Sequence, residues 1–127
     1  MLRALRALAA VAVVMLALDL VWLGLVAKGV YDSQLGELQA PEVNTLAAGL
    51  FYAMYAGVTA LWAALPAKDV GDAARRGAGL GFVAYATYEL TNWAVIRDWP
   101  AALVPLDIGW GVLLTGVSAV VGRLAAR

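Results

Sequence analysis

The sequence predicts an all-α protein: a polytopic, antiparallel four-transmembrane-helix bundle forming a single domain over 1–127. Three observations carry that prediction. Of 127 residues, 64% are hydrophobic and 14% charged, an apolar share well above that of a soluble domain. The apolar residues gather into four stretches of about 20 residues, the length a helix needs to cross a hydrocarbon core of about 30 Å. The basic residues collect in alternate connections between those stretches. Inside lipid every backbone polar group must be paired, so each stretch has the helix as its available state.

The first span, 7–27, follows Arg3 and Arg6 and is apolar apart from Asp19. A basic start before an apolar run also marks signal peptides. Here the run is too long, Asp19 interrupts it, and no small-x-small cleavage site follows, so it reads as an uncleaved helix. The connection 28–46 is polar. In it Tyr31, Leu35 and Leu38 have helical spacing ahead of Pro41, which fits either a short interfacial helix or a plain loop.

The second span, 47–65, carries no formal charge and stops at Pro66; Gly49, Ala53 and Gly57 place small residues on one ridge. The connection 67–76 is short and basic, and Asp72 is expected to cap the third span. That span, 77–96, contains one formal charge, Glu89. Gly77, Gly81, Tyr85 and Glu89 recur every four residues and so share a ridge, with Asn92 on the same side. The GxxxG pair lets another backbone approach, which turns Glu89 toward a neighbouring helix. A tight turn, Arg97-Asp98-Trp99-Pro100, leads to the fourth span, about 101–121. Pro105 fits near its first turn, where proline breaks no helical hydrogen bond. Gly111, Thr115 and Ser118 form a small polar stripe behind Asp107.

Orientation follows from Lys and Arg. Arg3, Arg6, Lys68, Arg75, Arg76, Arg123 and Arg127 lie at the two ends or in the second connection; only Lys28 and Arg97 lie in the first and third. The positive-inside rule then places both termini in the cytoplasm. Tyr31 and Trp99 fall near the outer interface and Trp62 near the inner one.

With that orientation Asp19, Glu89 and Asp107 all fall roughly 9–12 Å below the outer ends of their helices, at 1.5 Å of rise per residue. Tyr52 and Tyr55 of the second span lie at similar depth. No Lys or Arg lies within a span to neutralise the acids. Three close carboxylates in low dielectric cannot all stay ionised; one takes up a proton or a cation binds. The polar layer expected to bind is Asp19, Trp22, Tyr52, Tyr55, Tyr85, Tyr88, Glu89, Asn92, Asp107 and Trp110. Two patterns recur within it: Asp19-Leu-Val-Trp22 beside Asp107-Ile-Gly-Trp110, and Tyr52-Ala-Met-Tyr55 beside Tyr85-Ala-Thr-Tyr88. Asp107 has a second reading. If its helix starts at Val104, the acid sits in the first turn, where free N–H groups and the helix dipole favour a carboxylate.

Composition excludes much else. The chain has no cysteine and no histidine, which removes disulfides, thiolate chemistry, His-ligated haem and the usual zinc sites. No cofactor and no metal site is expected. Net charge is zero, so nothing draws the chain to nucleic acid.

Several pieces together, Asp19-Leu-Val-Trp22-Leu-Gly24, Phe51-Tyr52-Ala-Met-Tyr55, Tyr85-Ala-Thr-Tyr88-Glu-Leu-Thr-Asn92, Trp99-Pro100 and Asp107-Ile-Gly-Trp110-Gly111, resemble a family of small bacterial four-helix membrane proteins known as a domain of unknown function. The resemblance covers nearly the whole chain and implies a four-span fold. It implies no activity, substrate or catalytic residue.

Three functions are expected of such a chain in a bacterial inner membrane. The first is binding, or proton- or cation-linked transport, at the acidic layer, with a proton, a cation or a lipophilic ligand as partner. The second is an enzyme in which paired acids and tyrosines move protons on a lipid or acyl chain. The third is an accessory subunit whose acids only join helices. Four helices enclose little space, so a homodimer among membrane lipids is expected.

Overall fold

The structure is a computed structural model that describes residues 1–26, 28–36 and 42–127. It is all-helical among the described residues. Helix α1 spans Leu2–Val21 and continues as a π-helical segment, Trp22–Val26. A short helix α2 covers Lys28–Leu35. Helix α3 spans Thr45–Val58 and also runs on into a π-helical segment, Thr59–Ala64. Helix α4 spans Val70–Val95 and α5 spans Leu103–Ala125. Of the two readings of the first connection, the short helix is the one formed. Leu38 and Pro41 lie outside the described residues.

Among the described residues three helical stretches are long and apolar enough to cross a membrane: Leu2–Leu25, Thr45–Ala64 and Leu103–Ala125. Helix α4 is the longest, at 26 residues, but is not among them. Asp72, Arg75 and Arg76 occupy its first turns, and Glu89, Asn92 and its glycines dilute the rest. The expectation that 77–96 is apolar enough to span by itself is corrected to that extent.

What α4 lacks in hydropathy it makes up in packing. It lies along α5 more extensively than any other pair of elements meets. The reason is the predicted glycine ridge. A methyl at Gly77 would collide with the backbone of Thr115 and the side chain of Ala119, and one at Gly81 with the carbonyl of Gly111. Gly111 returns the fit, since a methyl there would enter the Tyr85 ring. Small residues on both helices thus let backbones touch. The second ridge behaves differently. A Cβ at Gly49 or Gly57 would meet nothing within 4 Å among the described residues, so those two positions are open.

Buried Val11, Met15, Tyr55, Ala56, Ala60, Ala64 and Leu114 form the main core. At the end that holds the termini, Arg3 donates to Ala126 O at 3.1 Å and to Leu65 O at 3.1 Å. These bonds gather the start of α1, the end of the α3 segment and the end of α5. The cap of α4 is Asp69, whose carboxylate accepts from the Asp72 N–H at 2.8 Å, and not Asp72 as expected. Asp72 sits in the first turn and accepts from Lys68 N–H, Arg75 and Arg76 at 3.0, 2.8 and 3.0 Å. Those bonds, the Lys68 amide foremost, hold its carboxyl well below the ordinary carboxylate range.

Candidate functional site

Besides Asp72 at the start of α4, three carboxyl groups are buried on the described helices: Glu89 is 0% exposed, and Asp19 and Asp107 are 7% exposed each. They arrive from α1, α4 and α5. Two of them form one group and the third another.

The first group is built on Asp19. One of its oxygens accepts from the Tyr52 hydroxyl of α3, the other from Trp110 Nε1 of α5 at 2.8 Å. Trp110 in turn stacks on Trp22, with centroids 4.5 Å apart and planes 5° from parallel. The two recurring Asp-x-x-Trp patterns therefore interlock: the acid of one takes its hydrogen bond from the indole of the other. Trp22 opens the π-helical segment of α1, and its Nε1 is buried with no hydrogen-bond partner among the described residues.

The second group is Glu89 with Asp107. The α4–α5 contact that begins at Gly77 continues through Gly81 and Tyr85 and brings these acids level, within hydrogen-bonding reach of each other. Glu89 Oε2 accepts from Trp99 Nε1 at 2.8 Å, while Oε1 is buried with no donor among the described residues. An ionised carboxylate only accepts, so two carboxyls in such contact are satisfied by a shared proton or by a bound cation. Asp107 is the fifth residue of α5, beyond the first turn, so the capping reading of it fails.

Between the groups stands Tyr85. Its phenol lies close enough to Asp19 and to Asp107 to feel both charges, and its ring lies 6.2 Å from that of Tyr55. Tyr55 shares a 2.7 Å hydrogen bond with Thr115. Tyr88 meets Trp99 edge to face at 6.0 Å, with Asn92 beside its hydroxyl. A cavity of about 280 Å³ is lined by Phe51, Ala84, Tyr85 and Tyr88, with Asp107 as its acid.

All ten expected residues thus fall in one region, but not as a single layer of three acids. Among the described residues no three acidic groups are gathered as a metal ion would need. Two participants escaped the sequence reading. Trp99 was accounted for as an interfacial aromatic, yet it folds back onto Glu89 from a turn in which Asp98 takes φ 61°, a left-handed state that Asp tolerates better than most residues. Phe51 stood next to Tyr52 with no polar atom to single it out.

Long apolar helices around a buried polar centre define an integral membrane protein. The chain belongs to the DUF2177 family of predicted membrane proteins, whose profile matches residues 4–124. No curated protein and no solved structure matches it.

Proposed function

We propose that this protein binds a lipophilic cation in the cavity beside Asp107 and exchanges it for the proton held between Asp107 and Glu89. The observation that carries the reading is the composition of that cavity. Phe51, Tyr85 and Tyr88 supply aromatic surfaces, Ala84 adds apolar wall, and one carboxyl supplies charge. Aromatic rings attract cations through their π faces, most strongly where water is excluded. A buried carboxyl prefers either a proton or a positive partner. Together these groups favour a cation with an apolar body over an anion or a sugar.

In this reading all four long helices span a bacterial inner membrane as an antiparallel bundle, α4 being carried by its contact with α5. Both termini are cytoplasmic. Membrane lipids surround the chain, and a second copy covers the outward ridge of Gly49, Ala53 and Gly57.

The probe is benzyltrimethylammonium, a permanent cation with no proton of its own. Added to the purified protein in weakly buffered nanodiscs, it is expected to release one proton per cation bound, and Glu89→Gln should abolish the release. Binding without proton release, or no binding, overturns the proposal. A lipid-modifying enzyme shares one supporting feature, two acids converging beside an apolar cavity. Native mass spectrometry of the gently solubilised protein separates the two, because an enzyme would retain and convert a lipid while a cation carrier would leave lipid unchanged.

A further inference from the structure

Two fully buried hydroxyls below the acidic site have no account in the reading above. Thr59 Oγ1 and Ser118 Oγ are each on residues 0% exposed, and neither has a hydrogen-bond partner among the described residues. Buried polar atoms are nearly always paired, and a threonine or serine in a helix can usually turn to its own backbone. Thr87 and Thr91 of α4 do so, donating to carbonyls four residues back.

The two orphans sit at one level of the bundle, Thr59 on the π-helical segment after α3 and Ser118 on α5. Tyr55 of α3 meets Thr115 of α5, and further along a Cβ at Gly122 would touch Ala64. Thr59 and Ser118 fall between those two contacts, at one level on facing helices. They lie inward of the Tyr55–Thr115 bond, and the Tyr55 ring is 6.2 Å from that of Tyr85 at the cavity. Thr59 also opens the π-helical segment of α3, and such segments recur at functional positions. Beyond the pair the bundle closes. Ala63, Ala67, Ala73 and Ala119 form an apolar cluster, and Gly122 is packed against Val11 and Ala64.

We propose that Thr59 and Ser118 hold bound water, and that this water ends a hydroxyl relay leading inward from the acidic site to an alanine and glycine plug. A water in that place would have the two orphan hydroxyls as partners, within the two to four a buried water needs. Between hydroxyls in hydrogen-bonding contact, as Tyr55 and Thr115 are, a proton moves by hops. Each hop breaks one O–H bond and forms another, so only the position of one proton changes. The use of the relay, exchanging a proton with Asp107 and Glu89, rests on the proposed function; the presence of water does not.

The chain has no cysteine, so a single introduced one reports cleanly. Thr59→Cys, Ser118→Cys and the control Ala119→Cys, at the depth of Ser118 but in the apolar cluster, are placed in nanodiscs and exposed to silver ion. Unreacted thiols are then counted with a maleimide dye after denaturation. Ser118→Cys and Thr59→Cys are expected to react at least ten times faster than Ala119→Cys. Equal, slow reaction at all three positions overturns the proposal. A second measurement stands if a cysteine variant does not fold. Ser118→Ala and Thr59→Val remove the orphans with almost no change of shape. At a dry site both should raise the Tm, which would overturn the proposal; with water bound the Tm stays level or falls. The infrared C=O band of a protonated carboxyl, lost in Glu89→Gln, reports the acid pair separately. Water without that band keeps the relay's water and removes the proton-binding function; the band without water does the reverse.

Discussion

Asp19 and Glu89 are both buried acids, yet their surroundings predict opposite responses to the same kind of substitution. Asp19 accepts from two donors on two other helices, Tyr52 and Trp110. An asparagine has one acceptor oxygen, and its NH₂ would face the second donor. Asp19→Asn should therefore cost about 1–3 kcal/mol, the penalty of a buried donor left unpaired. Glu89 accepts from Trp99 through Oε2 and lies within hydrogen-bonding reach of Asp107. A glutamine keeps the acceptor for Trp99 and offers its NH₂ to Asp107. Glu89→Gln should then change stability by less than about 1 kcal/mol while abolishing proton release. Unfolding in mixed micelles, followed by tryptophan fluorescence, measures both. Equal losses would mean that the two sites are not built differently. The sequence predicts that these acids lie at one depth, because depth needs only residue counting and the rise of a helix. It could not show which acid pairs with which donor, since that depends on helix rotation. Trp110 bonds Asp19, 91 positions away, while the acid three residues before it pairs with Glu89.

The glycine ridges make the parallel case among the elements. The same spacing of small residues was legible in α3 and in α4, and it gave no means of telling an internal contact from an outward face. Gly77 and Gly81 proved internal because α5 offers Gly111, Thr115 and Ala119 opposite them, whereas a Cβ at Gly49 or Gly57 meets nothing within 4 Å among the described residues. Gly81→Ala should separate α4 from α5 and cost roughly 1–3 kcal/mol, as overpacking does. Gly49→Ala should be neutral or stabilise by up to about 1 kcal/mol, since alanine loses less entropy in a helix. A destabilising Gly49→Ala in the purified protein would instead reveal a partner seated on that ridge. The π-helical segments left no sequence signal, because Trp22–Val26 and Thr59–Ala64 have ordinary helical composition. At the start of α4, Asp72 binds its proton less readily when folded than when unfolded. Its contribution is complete above the ordinary Asp range near pH 4 and is lost as pH falls below it, toward the lowered folded value. The Tm of the protein should drop over that acid range, and Asp72→Asn should remove this part of the drop.

For the molecule as a whole, every statement about depth rests on which end faces the cytoplasm. The Arg3 bonds to Ala126 and Leu65 tie the two termini and the second connection to one end, and Arg123 donates to Lys68 O at that same end. This end carries seven of the nine basic residues. Two of them, Arg75 and Arg76, are partly offset by their shared pairing with Asp72, but the rule counts Lys and Arg rather than net charge. Helix α4 sharpens the question, because its own hydropathy does not fix it across the bilayer and its direction is inherited from α5. If α4 spans, the connections on its two sides lie on opposite faces of the membrane. Ser33→Cys and Asp98→Cys should then react in intact cells with an impermeant thiol reagent, and Gly71→Cys should react only after the membrane is opened. All three positions are exposed, so access to the reagent depends on the membrane alone. Reversed labelling would invert the orientation and put the acidic cavity in the inner half of the bilayer. Labelling of Gly71→Cys together with Asp98→Cys would mean that α4 does not cross. The Glu89–Asp107 pair would then sit at a membrane surface, where water rather than a lipophilic cation would be its natural partner.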